Sequence, residues 1–118
     1  MGGKENIILK TYDLIKYLFP VIQKFPRDHK FILGDRIQNK LLDIFELQIK
    51  SYYTGKNKLL YLSDINIKLE QLRYLIRLCY NFRIINQKRY TFIFKKIDEL
   101  GRMTGGWIKK VKGTNENT

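Results

Sequence analysis

The chain has 118 residues, 44% of them hydrophobic, with 23 Lys+Arg against 11 Asp+Glu for a formal charge of +12. That is one domain's worth of chain with enough apolar material for a single core. The cationic surplus favours a polyanionic partner, a nucleic acid or an acidic protein, with a basic surface kept only for solubility as the plainer alternative.

A single cysteine, Cys79, rules out an internal disulfide, and with His29 the only histidine the sequence argues against a Cys/His zinc site or a Cys–His catalytic pair. No run approaches about 18 uncharged apolar residues, and no basic-then-apolar leader opens the chain, so neither a membrane span nor a signal peptide is expected. A reducing, cytoplasmic compartment fits.

Residues 1–7 read as a flexible N-terminus. Ile8, Tyr12, Ile15, Phe19 and Ile22 then step by four and three, which predicts a helix over about 8–24, with Leu14, Leu18 and Phe25 widening its stripe. Pro20 should bend it, because proline removes a helical hydrogen bond. Phe25-Pro26 ends it. Asp28 is the expected N-cap of a second helix running from Phe31 to Tyr53, with Leu33, Ile37, Leu41, Ile44 and Phe45 inward. Gly34, in its first turns, either weakens the helix or allows a close backbone approach. Thr54-Gly55-Lys56-Asn57 is a stop, with Gly55 expected in the left-handed position.

The third helix begins near Leu59 or at Ser63-Asp64. Its seam of Leu62, Ile65, Leu69, Leu72, Ile76 and Cys79 has heptad spacing. A connection over 81–85 follows, then Asn86 as N-cap of a fourth helix facing inward through Tyr90, Ile93, Ile97, Leu100, Thr104, Trp107 and Val111. Residues 113–118 are polar and expected to be disordered. Short connections make neighbouring helices antiparallel, so the expected fold is all-α, an up-down-up-down four-helix bundle over 8–112.

Little supports an enzyme. There is no phosphate-cradling glycine loop and no metal-ligand cluster, so no cofactor or metal is expected. Asp98 and Glu99 are adjacent and point apart. Asp43 and Glu46 are three apart and could face one another, but are better read as lying at the edge of the core stripe or pairing with Lys40 or Lys50.

The basic residues say more. Arg73 and Arg77 lie four apart on the third helix, beside the seam, and Arg83 follows in the connection. Lys88, Arg89, Lys95, Lys96, Arg102, Lys109, Lys110 and Lys112 line the fourth helix. Residues 59–118 carry 12 basic and five acidic side chains. Arginine forks grip phosphate, and phosphate neutralisation releases counterions, so binding here should be salt-sensitive and largely sequence-blind. Tyr52, Tyr53, Tyr61, Tyr74, Tyr80 and Tyr90 are stacking candidates, though most suit the bundle edge. Ile32, Leu42, Leu47, Ile49, Leu60, Ile67, Tyr74, Phe92 and Phe94 fall outside one tidy seam, which implies further buried surface between protomers. Gly101, Gly105 and Gly106 support this, and Gly101 and Gly105, four apart, would permit a close helix approach; fraying of the last turns is the alternative.

Three stretches carry a resemblance: Tyr12-Asp-Leu-Ile-Lys-Tyr-Leu-Phe-Pro20 into Phe25-Pro26-Arg27, then Leu72-Arg-Tyr-Leu-Ile-Arg-Leu78, and Asp98-Glu-Leu-Gly-Arg-Met-Thr-Gly-Gly-Trp-Ile108. On these the sequence resembles the accessory variability determinant (Avd) proteins of diversity-generating retroelements, within the four-helix-bundle family related to ribosomal RNA intervening-sequence proteins. The resemblance implies a homopentamer of bundles that binds the retroelement reverse transcriptase and RNA or DNA template, and supports adenine-mutagenic reverse transcription without catalysing a reaction itself. It places Arg73 and Arg77 at the family's basic positions. No membrane or small-molecule partner is implied. A stand-alone RNA-binding bundle and a purely structural oligomer are the alternatives.

Overall fold

The computed structural model describes residues 3–114; residues 1–2 and the polar end at 115–118 lie outside them, and with them most of the expected disordered tail. The fold is an all-α four-helix bundle. Helix α1 is Gly3–Gln23. Helix α2 starts with a single turn, Arg27–His29, passes through a π turn at Lys30–Gly34, and continues regularly as Asp35–Tyr53. Helix α3 is Lys58–Asn81 and helix α4 is Gln87–Thr114. The packing runs round a ring, α1 on α2, α2 on α3, α3 on α4 and α4 back on α1, as short connections require. Principal extents are 46 × 23 × 21 Å. No helix among the described residues is long and apolar enough to cross a membrane.

The core follows the sequence spacing closely in α3 and α4. All six seam residues of α3 are buried, as are Ile93, Ile97, Leu100, Thr104, Trp107 and Val111 of α4; Tyr90 is half-buried. In α1 the spacing misplaces the face by about one residue. The buried positions are Ile7, Thr11, Leu14, Leu18 and Ile22, whereas Ile8, Ile15 and Phe19 are half-buried and Tyr12 is exposed. A wide apolar stripe and a buried threonine explain this. Helix α1 packs on both α2 and α4 and its flanks are apolar too, and a stripe that wide has no unique centre. Thr11 hides the true centre by being polar, but its hydroxyl donates to the Ile7 carbonyl at 3.0 Å and so can be buried.

The helix ends also depart from expectation. Helix α1 begins at Gly3 instead of residue 8 and runs through Pro20, which lies on the exposed side where the unserved carbonyl one turn back meets water. The residue before α2 is Pro26, not Asp28, and Asp28 sits in the first turn, where its charge complements the helix dipole. The expected start at Phe31 comes four residues late. Between α2 and α3 the left-handed residue is Asn57, φ 63°, and among the described residues no glycine has positive φ. Asparagine tolerates that conformation. Gly34 does permit a close approach: a Cβ there would stand 2.8 Å from Ile22 Cγ2, so α1 and α2 meet at its backbone.

Candidate nucleic-acid interface

Helix α4 opens on a side-chain cap, the Arg89 amide donating to Asn86 Oδ1 at 2.8 Å. With its apolar stripe fixed against the core, the opposite face is set. On it stand Lys88, Lys95, Arg102 and Lys109, all exposed and each seven residues from the next. Seven residues fall just short of two turns, so each step drifts by only about 20°. At 1.5 Å per residue the steps are about 10.5 Å and the row about 31 Å long. Of these four only Arg102 has an ion pair among the described residues, to Asp98 at 3.0 Å, and at 70% side-chain exposure that pair contributes little. Lys88 and Arg89 sit in the first turn, which has no acidic residue and where the helix dipole disfavours cations. Helix stability does not account for them.

Arg89 and Lys96 occupy the flank facing α1. Arg89 lies over the Tyr17 ring at 5.9 Å and Lys96 over Phe92 at 5.4 Å, and the two rings are 4.7 Å apart. Lys110 and Lys112 are exposed further along.

The arginines of α3 divide. Arg77 is exposed and has no ion pair among the described residues. Arg73 is 20% exposed at its side chain and is held by two carboxylates, Glu70 at 2.7 Å and Asp98 at 3.3 Å. Its guanidinium lies across Gly101, where a Cβ would be 2.5 Å from Nη2. The glycine therefore makes room for an arginine clamp between α3 and α4, and Asp98 holds Arg73 and Arg102 together. Gly105 meets nothing within 4 Å, so it makes no close approach inside the chain.

Arg83 occupies the left-handed position that ends α3, φ 61°. The Ile84 amide donates to the Cys79 carbonyl at 2.8 Å and the Arg83 amide to that of Tyr80 at 3.0 Å, the paired bonds of a helix stop that glycine usually serves. A non-glycine residue there costs about 1 kcal/mol, and Arg83 remains exposed.

Other expectations resolve differently. Lys40 donates to Gln71 at 2.8 Å and Lys50 lies over Tyr61 at 4.7 Å, so neither pairs with Asp43 or Glu46. Tyr80 and Tyr90 stack on each other at 4.7 Å. Burial pushes the Cys79 thiol up to about 11. No cluster of three or more His, Cys, Asp or Glu able to hold a metal occurs among the described residues.

One feature escaped the sequence reading as a pattern. Leu60, Ile67 and Tyr74 fall on one outward line of α3, again seven apart, and are 67%, 58% and 60% exposed. Leu78 and Phe82 extend the exposed apolar surface toward the turn. The seven-residue spacing of Leu60, Ile67 and Tyr74 is the signal for this line in the sequence.

These elements define a basic four-helix bundle whose surface chemistry is the display of charge on one helix and of apolar side chains on its neighbour. The bAvd-like family model matches residues 7–111, from the first buried residue of α1 to the last of α4, and the chain belongs to that family. It is an accessory, non-catalytic family of retroelement proteins. No curated protein matches the chain.

Proposed function

We propose that this protein is a non-catalytic accessory subunit that binds a retroelement reverse transcriptase and its RNA or DNA template, supporting the mutagenic reverse transcription of a diversity-generating retroelement. The observation that supports this most is the row of Lys88, Lys95, Arg102 and Lys109, almost unpaired and matched to no structural need. A row about 31 Å long faces roughly nine base-pair rises of a duplex, or a single strand laid along the helix. Arg77, Arg83, Arg89, Lys96 and Lys110 add charge at its edges. Arg73 serves the row indirectly by fixing Asp98 and the α3–α4 distance.

The outward apolar line of α3 suits a second copy of the chain. The exposed apolar residues mark a contact site between copies, a heterologous contact repeated by rotation can close a ring, and the resemblance to the Avd proteins implies that the ring is a homopentamer. The test is co-expression with a reverse transcriptase of a diversity-generating retroelement and its template RNA. The wild type is expected to co-purify with the polymerase and to yield adenine-mutagenised cDNA, and Lys95→Glu/Arg102→Glu to lose the cDNA. Unchanged cDNA yield and mutagenesis when the chain is omitted would contradict the proposal.

A further inference from the structure

We infer that the Tyr17–Phe92 step between α1 and α4 is a seat for an unpaired nucleobase of single-stranded nucleic acid, with the flanking phosphates held by Lys88, Arg89, Lys95 and Lys96. The inference rests on the nucleic-acid reading above and adds a stacking site to it. Phe92 is 43% exposed, although the seam beneath it is already closed by Leu14, Leu18, Ile93 and Leu100, all buried. The fold does not need an aromatic ring at that point. Tyr17 stands behind it at 4.7 Å with its plane tilted by 53°, a backstop that fixes the ring.

The charges around the step are placed by helix geometry. Lys88 and Lys96 are four residues either side of Phe92, and Arg89 and Lys95 three either side, so all four border the ring. Two surface depressions meet at Phe92. One is lined by Tyr17, Asn86, Lys88 and Arg89, the other by Lys95, Lys96, Asp98, Glu99 and Arg102. A strand crossing from the first to the second passes a base over Phe92 and a phosphate over each basic pair, Lys88 with Arg89 and Lys95 with Lys96. Acidic groups set the limit of the path. Toward Lys10 the groove sets Asp13 and Glu99 against Lys10 and Lys96, with Lys10 already paired to Glu99 at 3.2 Å, so it offers phosphate no net positive charge, whereas in the second depression Lys95, Lys96 and Arg102 outnumber Asp98 and Glu99. Lys96, now over the Phe92 ring, is an exposed lysine that can swing to phosphate. A duplex keeps its bases stacked inside and cannot use the step, whereas any unpaired base can, because every base has a π face.

The test is fluorescence anisotropy on the full chain with oligothymidine, oligouridine and a duplex, each of about 16 nucleotides, at one fixed salt. Phe92→Leu keeps the charge and the apolar cover. It is expected to weaken binding of at least one single strand about five- to twenty-fold and to leave the duplex and the salt slope unchanged. Phe92→Trp should restore affinity, with its own fluorescence quenched on adding the single strand against the constant signal of buried Trp107. Equal losses on strand and duplex, or no loss, would overturn the stacking seat while leaving the basic interface standing. Failure of the wild type to bind any of the three would overturn both.

Discussion

Helices α3 and α4 are neighbours in the bundle, and both turn a seven-residue rhythm toward solvent, with opposite chemistry. On α3 the outward line is Leu60, Ile67 and Tyr74; on α4 it is Lys88, Lys95, Arg102 and Lys109. The geometry of the two lines is the same, since seven residues bring any helix back to nearly the same side. Residue type alone decides what each line can meet. Helix α3, apolar on its seam and on its back, is suited to lie between two protein surfaces. Helix α4, apolar on one side and cationic on the other, is suited to lie between protein and phosphate. The network of Glu70, Arg73, Asp98 and Arg102 ties the two together at the border.

The comparison can be broken one face at a time. The largest effect is expected from Ile67→Glu, which puts a charge in the middle of the apolar line. Light scattering should show the assembly falling to monomer while circular dichroism keeps its helix content; a wild type that is already monomeric would remove the role proposed for α3. Gly34→Ala touches neither face. Its Cβ meets a buried β-branched side chain with no room to move, so a net loss of about 1–2 kcal/mol in denaturant unfolding is expected after the gain in helix propensity.

Arg83→Gly relieves the left-handed residue and should raise stability by about 1 kcal/mol while lowering nucleic-acid affinity, since one exposed cation is gone. Cys79 gives the smallest signal. With its thiol pushed up to about 11, it should resist thiol reagents in the folded protein and react on unfolding. Because the raised value belongs to the folded state, the burial of the neutral thiol favours folding below the unfolded pKa, near 9, and that contribution is lost as pH rises toward 11.

Much of this bundle was legible in the sequence where a helix has one dominant buried stripe. The seam from Leu62 to Cys79 and the face from Ile93 to Val111 read correctly because their three-and-four spacing runs unbroken along the whole buried line. Helix α1 was harder, since a second apolar line of Ile8, Ile15 and Phe19 runs beside the buried one and the buried centre includes Thr11. Caps followed side-chain chemistry at Asn86, whose amide oxygen does cap α4, and departed from it at Asp28, where Pro26 with its fixed φ sets the start instead. At the candidate interface the residue list was readable from charge, but availability was not. Arg73 and Arg77 look equivalent four residues apart, yet one reaches Asp98 across Gly101 and the other faces solvent. That distinction depends on which helix lies alongside, and the spacing within one helix carries no such information.

The central claim is that the α4 row holds phosphate, and a salt-titrated binding measurement on wild type and Lys95→Glu/Arg102→Glu tests it most directly. Four phosphate contacts predict a log–log salt slope of about −3 to −4 for the wild type. The variant should bind at least about tenfold more weakly, with a slope shallower by about two. Equal affinity and an equal slope in the two proteins would contradict the claim.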